Sequence, residues 1–432
     1  MLTIFSEYFG LSRRWSLLVS TFIVVVVCFT IFWFVHSAPP RTITITSGPA
    51  GSSFERYAER YRGLLRSNGV TLKIVESQGS VENLQRLQDL KYKVDIGFVQ
   101  GGTPEATNAQ QLFSLGSIAY QPLVVFYRST NSIKLLSELN GERIAVGAVG
   151  SGTHSLALML LHTNGITAGG RTQLLELDAD AAAKGLLDGT VDAAFLMGDS
   201  ASMQTMRTLL HTPGIHLMSF EQADAYARRF NFLNKLRLPE GSLDLGKNLP
   251  AQDVWLIGPA VELVARPNLN PALSDLLLEA AQQVHGGAGL LQNQDEFPAP
   301  LVHEFQISPD ASRYYKSGKK FLYRWMPFWL ASLSNRMLVA FVPIVLVLIP
   351  GVRMIPALYK WRIQLRIYRW YRKLIALERD SSGQIPAAKR EELRKQLQEI
   401  ENVVAHMKVP ASFANQFYTM RQHIDFVRDR LK

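Results

Sequence analysis

The chain has 432 residues, is 47% hydrophobic and carries a formal net charge of +10. That length allows two or three domains. The single cysteine, Cys28, excludes an internal disulfide or a cysteine metal cluster, and the nine histidines show no H-x-x-x-H or H-E-x-x-H spacing, so no metal is expected.

The charge is local. Residues 353–432 hold 17 Lys and Arg against 8 Asp and Glu, whereas the preceding 352 residues hold 29 against 28. A basic tail directly after an apolar run fits the positive-inside pattern better than nucleic-acid binding, so no nucleic-acid partner is expected.

Residues 1–14 end in Arg13-Arg14, which predicts a cytoplasmic N-terminus. Trp15 to Phe34 holds no charge. About 20 such residues at ~1.5 Å each cross a ~30 Å hydrocarbon core, which predicts a transmembrane helix over 15–36. A signal peptide cleaved near Val35-His-Ser37 is the alternative, although this run is longer than the usual h-region of about 7 to 15 residues. Cys28 lies inside the run behind Val27, where it reads as a packing residue and not as a lipidation site. Ala38-Pro-Pro40 then makes a stiff exit linker.

From Arg41 to about Ser308 strand and helix patterns alternate. Predicted strands cover Thr42–Thr46, Thr71–Glu76, Asp95–Val99, Ser117–Tyr127, Arg143–Val146, Thr172–Leu177, Ala193–Met197, His216–Ser219 and Val254–Gly258. Amphipathic stretches between them include Phe54–Ser67, Val81–Lys91, Thr153–His162, Asp178–Asp188 and Ser200–His211. This alternation predicts an α/β fold with parallel βαβ units, and its length suits two lobes.

Residues 309–329 read as a polar linker. A second transmembrane helix is predicted over 330–356, centred on the charge-free run Met337–Val352 and flanked by Arg336 and Arg353. Pro343 and Pro350 predict a kink in it. The basic residues that follow place the tail, 359–432, on the cytoplasmic side, so the two spans leave the α/β unit outside the bilayer. The tail divides into three helical pieces, Tyr359–Arg379, Pro386–Met407 and Pro410–Leu431. Leu393, Leu397, Ile400, Val404 and Met407 recur at spacings of three and four, which predicts a helical hairpin or bundle.

Glycine- and serine-containing turns stand at four strand-to-helix boundaries. They are Gly48-Pro-Ala-Gly51-Ser52-Ser53-Phe54, Ser77-Gln-Gly79-Ser80-Val81-Glu82-Asn83, Gly150-Ser151-Gly152-Thr153-His154 and Gly198-Asp199-Ser200. A fifth strand end, Gln100-Gly101-Gly102, adds an amide side chain. In an open α/β sheet, ligands sit outside the carboxyl ends of the strands. Free N–H groups of helix N-termini and the hydroxyls of capping residues converge there. Neither G-x-x-x-x-G-K-[ST] nor G-x-G-x-x-G is present, which points away from a nucleotide and towards a small solute held by amides and hydroxyls. Single residues keep two readings. Asp199 either binds a ligand amine or caps a helix; His154 either contacts a carboxylate or decorates a first turn; Tyr120 either lines the cleft or joins the core. Glu82 reads as a capping-box partner. No nucleophile with a paired base stands out, so no enzymatic activity and no cofactor is expected.

The string Gly79-Ser-Val-Glu-Asn-Leu84, the downstream Asp95-Ile-Gly-Phe-Val-Gln100 and Gly150-Ser-Gly-Thr153 resemble the TAXI-type solute receptors of TRAP transporters over about residues 41–308. The resemblance implies a two-lobed periplasmic-binding-protein fold, type II-like, that closes around a small organic solute, a carboxylate or an amino acid, and delivers it to a TRAP-type permease. Phe54 matches the aromatic of that family's first turn. Ala50-Gly-Ser52 replaces its Gly-Gly-Thr, and Gln121 stands after Tyr120 where it often has glutamate. Lobe one is then expected over 41–122 and 257–308 and lobe two over 128–250, with hinges near Gln121–Phe126 and Val254–Pro259. The whole would be tethered at a bacterial inner membrane with its binding domain periplasmic. A ligand sensor wired through the second span to the helical tail is the alternative.

Overall fold

The alternating, β-branched run Thr42-Ile-Thr-Ile-Thr46 suits a half-buried strand, and in the computed structural model it forms β1. The structure describes residues 21, 24, 25, 28, 29, 32, 34, 38–103, 112–167, 169, 171–301, 304–319, 321–383, 386–407 and 413–431. After β1 (Thr42–Thr46) come α1 (Ser53–Ser67), β2 (Thr71–Val75), α2 (Ser80–Gln88), β3 (Ile96–Gln100), β4 (Phe113–Tyr120) and β5 (Val124–Arg128). The chain continues through β6 (Arg143–Ala145), α3 (Gly152–Thr163), β7 (Gln173–Leu175), α4 (Ala179–Asp188), β8 (Ala193–Leu196), α5 (Met203–Leu210), β9 (Ile215–Leu217), α6 (Ala223–Arg229) and β10 (Leu233–Leu238). It ends with β11 (Val254–Ala265), α7 (Pro271–His285), β12 (Gln306–Ile307), α8 (Pro309–Ser317), α9 (Phe321–Trp325), α10 (Phe328–Asp380), α11 (Ala387–Ala405) and α12 (Ala414–Arg430).

Two compact units result, one over 38–335 and one made of 1–37 with 336–432. The first contains two sheets. One is ordered β12-β4-β11-β3-β1-β2, with β10 paired to β11; the other is ordered β7-β6-β8-β5-β9. In the first sheet β1 pairs in parallel with β2 and β3, and in the second β6 pairs in parallel with β7 and β8. One antiparallel strand borders each parallel set: β11 beside β3, and β5 beside β8. Strand β5 enters directly from β4 of the first sheet, and β11 runs beside that crossing. The two crossing segments run side by side, Gln121 N–H to Pro259 O at 2.8 Å and Leu123 N–H to Ile257 O at 2.8 Å.

The run expected as one strand over 117–127 is therefore two. Pro122 has no N–H to continue a ladder, and at Gln121-Pro122 the chain leaves one sheet for the other. Strand β10 and helix α8 went unrecognised in the sequence, the latter inside the expected linker.

Each sheet carries its own core. Ile43, Ile45, Phe54, Tyr61, Leu65, Phe98, Leu263 and Leu277 pack between the first sheet and helices α1 and α7. Val125, Ile144, Val146, Leu160, Phe195, Met197 and Phe220 pack in the second. At about 1.5–3 kcal/mol per large apolar side chain buried, these layers hold the elements whose ends build the site. In the other unit, Leu393, Leu397, Ile400 and Val404 of α11 pack with Met420, Ile424 and Val427 of α12 and with Ile367, Leu374 and Leu377 of α10. The spacing of three and four seen in the sequence is the buried stripe of that bundle.

The predicted transmembrane architecture is corrected. Among the described residues no helix is long and apolar enough to cross a membrane. The expected second span over 330–356 falls within α10, a helix of 53 residues that also takes in the first expected tail piece. Its charge-free run, Met337–Val352, is bounded by Arg336 and Arg353. At ~1.5 Å per residue that run is about 24 Å long, below a ~30 Å core. The expected first span over 15–36 lies outside the described residues apart from positions 21, 24, 25, 28, 29, 32 and 34. Placement at an inner membrane with both termini cytoplasmic rested on those two spans and goes with them.

Glu262, on β11, is fully buried. Burial pushes its carboxyl up from 4.5 to about 7; the Ser114 hydroxyl opposes that shift and the Glu304 carboxyl adds to it. Between those two values the folded chain holds a proton that the unfolded chain has lost, so stability falls as pH rises from 4.5 through about 7 and levels off above. The loss is on the order of 3 kcal/mol. Urea denaturation at a series of pH values is expected to show the Glu262→Gln variant lacking this decline, read as the difference from wild type. An unchanged difference across that range counts against the shift.

Candidate functional site

The carboxyl ends of β1, β3, β6 and β8 and the helices that follow meet between the two sheets. Ser52 caps α1, its hydroxyl accepting from the Glu55 N–H at 3.2 Å. Gly51, at φ +79°, gives its N–H to the Glu55 carboxylate at 2.6 Å. Ser53 reaches the other sheet: its N–H and its hydroxyl both donate to the Gly198 carbonyl, each at 2.7 Å. On α2 the Glu82 N–H donates to the Gly150 carbonyl at 3.0 Å. The Glu82 carboxylate accepts from the Gln78 N–H at 2.7 Å and pairs with Arg86; the N-cap of α2 is Gly79, which has no side chain to complete the expected capping box. Ser151 caps α3, accepting from the His154 N–H at 3.1 Å and donating to the Ala148 carbonyl at 2.7 Å.

Asp199 is the centre of this arrangement and has no exposed surface. The Gly152 N–H, at the start of α3, donates to its Oδ2 at 2.7 Å. The hydroxyls of Thr153 and Ser200 donate to its Oδ1 at 2.9 Å and 3.0 Å. The backbone N–H of Ser80, at the start of α2 on the other sheet, also donates to this carboxylate. Of the two sequence readings of Asp199, the helix cap is the one seen, but not on the helix that follows it. The helix after it, α5, is capped by Ser202, and Asp199 instead caps α3 and α2. Burial pushes its carboxyl up, and the donors Thr153, Gly152, Ser200 and Ser80 pull against that shift.

Side chains approach closely at two glycines of the site. At Gly79, φ +133°, a Cβ would stand 2.6 Å from the Asp199 Oδ2. At Gly152 a Cβ would stand 2.3 Å from the Gln100 Oε1. Gln100 is 2% exposed, and its Oε1 has no hydrogen-bond partner. Its N–H donates to the Ser80 hydroxyl at 3.2 Å, and Gly101 donates to the Ala260 carbonyl at 3.0 Å. Gln121, which the sequence marked as a departure from a family pattern and as the start of a hinge, belongs here too. With its amide oxygen facing the turn, it accepts from the N–H groups of Gly198 at 2.5 Å and Asp199 at 2.8 Å.

The site thus gathers Ser53, Gly79, Ser80, Gln100, Gly150, Gly152, Thr153, Gly198, Asp199 and Ser200. Other expected residues are engaged elsewhere. Phe54 is core, its ring 5.4 Å from that of Phe98. Asn83 locks the first sheet, donating to the carbonyls of Ser47 at 2.5 Å and Phe98 at 2.9 Å and accepting from the hydroxyls of Thr46 and Ser77. Tyr120 donates to Glu296 at 2.8 Å, and burial first, then Glu296, pushes its hydroxyl up to about 12. His154 faces Glu176 at 3.3 Å. Two cavities flank the site. One of about 310 Å³ is lined by Pro49, Ala50, Gln78, Ala148, Thr153 and Ser200 among others. One of about 730 Å³ is lined by Val81, Glu82, Arg86, Gly150, His154 and Met159 among others. Among the described residues no group of three or more His, Cys, Asp or Glu could hold a metal ion.

The sequence pattern of the NMT1-like family matches residues 57–271, just under half of the chain. Among solved structures, the periplasmic aliphatic sulphonate-binding protein of Escherichia coli is similar at 17% identity, over 57% of this chain and 69% of that one, with a TM-score of 0.36. Lipoprotein Tp32 of Treponema pallidum is similar at 17% identity, over 56% and 90%, with a TM-score of 0.34. An ancestral arginine-binding protein bound to arginine is similar at 14% identity, over 57% and 92%, with a TM-score of 0.36. No curated protein matches the chain. These similarities are loose, and the fold is defined by the strand order above.

Gly79→Ala is expected to lower stability by about 1–3 kcal/mol, because an L-residue is strained at that φ and its methyl meets a buried carboxylate. A Cβ added at Gly63, in α1, would have no other atom within 4 Å. Gly63→Ala is therefore expected to be neutral or to stabilise by up to about 1 kcal/mol. Chemical denaturation of both variants checks the pair, and equal effects would contradict the close approach.

Proposed function

We propose that the unit over 38–335 is a solute-binding module that captures a small organic solute between its two sheets and hands it to a TRAP-type permease. It acts by binding and not by catalysis. One observation carries this reading: turns from both sheets, opening α1, α2 and α3, direct N–H and hydroxyl groups at one buried turn, Gly198-Asp199. That is how helix N-termini hold polar solutes at the carboxyl edge of α/β sheets. The NMT1-like match over 57–271 supports the same class, and the TAXI-type motifs at Gly79–Leu84 and Asp95–Gln100 supply the permease type.

In this reading lobe one takes 41–122 and 257–308 and lobe two takes 128–250. The paired crossings near Gln121–Phe126 and Val254–Pro259 are the hinge, the natural place for the two lobes to rotate. The solute lies against Ser53, Ser80, Gln100, Thr153 and Ser200 and extends into the cavity of about 310 Å³, which is at the small end of the range usual for such ligands.

A thermal-shift screen of the purified full chain tests this with a panel of organic acids, amino acids, amines, amides and polyols. At least one solute is expected to raise the melting temperature with concentration, by mass action. Ala50→Trp, which fills the cavity mouth from an exposed position, is expected to abolish that shift while leaving the ligand-free midpoint near wild type. No response to any member of the panel would overturn the proposal, as would a shift that Ala50→Trp leaves intact.

A further inference from the structure

The donors around Asp199 are those that a bound carboxylate uses: N–H groups at the first turns of two helices, Gly152 and Ser80, and two hydroxyls, Thr153 and Ser200. None of the four comes from a lysine or arginine. The carboxylate that fills this seat belongs to the chain itself. Its own turn does not need it. The backbone there is held by Ser200 and Ala201 N–H to the Met197 carbonyl, by the Gln121 amide on the Gly198 and Asp199 N–H groups, and by Ser202 as the cap of α5.

A second, independent feature sits beside it. The Gln100 side chain is buried, presses against Gly152, and leaves its Oε1 without a partner. A buried amide oxygen in that condition is unfavourable until a donor reaches it. An acceptor next to a seated carboxylate is matched by N–H or O–H groups and repelled by a further anion.

We propose that Asp199 is a tethered substitute for a solute carboxylate: it fills the anion seat formed by α2 and α3, so the cleft selects a donor-bearing solute with no carboxylate of its own, such as an amine, an amide or a polyol. This rests on the solute-binding reading above and narrows it to one chemical class. Gly79 completes the device, since only a residue without Cβ lets the backbone of the first sheet close onto the Asp199 Oδ2.

Chemical rescue in the full chain tests it. Asp199→Ala removes a group that formate restores in size and charge. Formate is expected to raise the melting temperature of Asp199→Ala in a saturable manner relative to chloride at equal ionic strength. Wild type and Asp199→Asn are expected not to respond, because in both the seat is filled. Should Asp199→Ala fail to accumulate as folded protein, refolding from urea is the readout, with recovery in formate and not in chloride expected. Formate no better than chloride in Asp199→Ala overturns the proposal, as does an equal formate response in wild type. The solute screen separates the two claims. If a carboxylate solute binds wild type through Ala50, the tethered seat falls and the solute-binding reading stands. If formate rescues Asp199→Ala while no solute shifts wild type, the seat stands and the solute-binding reading falls.

Discussion

The contact on which the arrangement of the two sheets depends is the set of hydrogen bonds that ends on one buried carboxylate. Asp199 leaves the second sheet after β8 and accepts from the start of α3 on its own side and from the start of α2 on the other. Each of those helices exposes N–H groups at its first turn that have no partner within the helix. Burying two such ends together is unfavourable unless an acceptor lies between them, and a carboxylate satisfies both at once. The hydrogen bonds of Ser53 to Gly198 and of Glu82 to Gly150 then follow as neighbours in the same register.

That register needs a backbone that can approach closely and a pivot that allows it. The pivot is the pair of segments around Gln121–Leu123 and Ile257–Pro259, bonded to each other by two main-chain hydrogen bonds. Gln121 links pivot to site directly, because its backbone N–H belongs to the crossing and its amide oxygen holds the Gly198-Asp199 turn. A change of angle at the crossing therefore moves the acceptor that positions Asp199. Sequence and geometry meet at this residue: the position after Tyr120 carries a neutral amide, and a neutral acceptor is what two backbone N–H groups beside a buried carboxylate tolerate.

Much of this was legible in the residues, and what was not has a physical reason. β-Branched runs and capping serines located β1, α1 and α3 closely, because those signals are local. The apolar stripe from Leu393 to Val404 likewise declared its helix. Strand β10 escaped because Leu-Asn-Lys-Leu-Arg-Leu alternates only weakly and is fixed by pairing with a strand some twenty residues later. The break at Gln121-Pro122 is tertiary, since the strands either side have continuous β character and only the change of sheet separates them. Phe54, Asn83 and Tyr120 were expected at the ligand, yet their side chains turn to the core, to the first sheet's carbonyls and to Glu296. Spacing tells which turn a residue occupies but not which side of it the side chain takes. The second predicted span failed for another reason: a charge-free run measures hydrophobicity along the chain, and that over 337–352 is too short on its own to cross a bilayer.

A carboxylate sealed from water costs several kcal/mol unless each oxygen is hydrogen-bonded, and burial does push Asp199 towards its neutral form. Its net contribution to stability is therefore small even with all four donors in place. Its contribution to specificity is large, because no apolar side chain could take the seat without leaving the Gly152 and Ser80 N–H groups buried and unpaired, at about 1–3 kcal/mol each. The same accounting applies to anything that enters from solution. A group that competes for those donors must displace a carboxylate already held at the high effective concentration of an attached side chain. A group that brings donors of its own finds in the buried Gln100 Oε1 an acceptor without a partner. The cheaper entry is the second, and it is the chemistry of that entrant which this arrangement of residues selects.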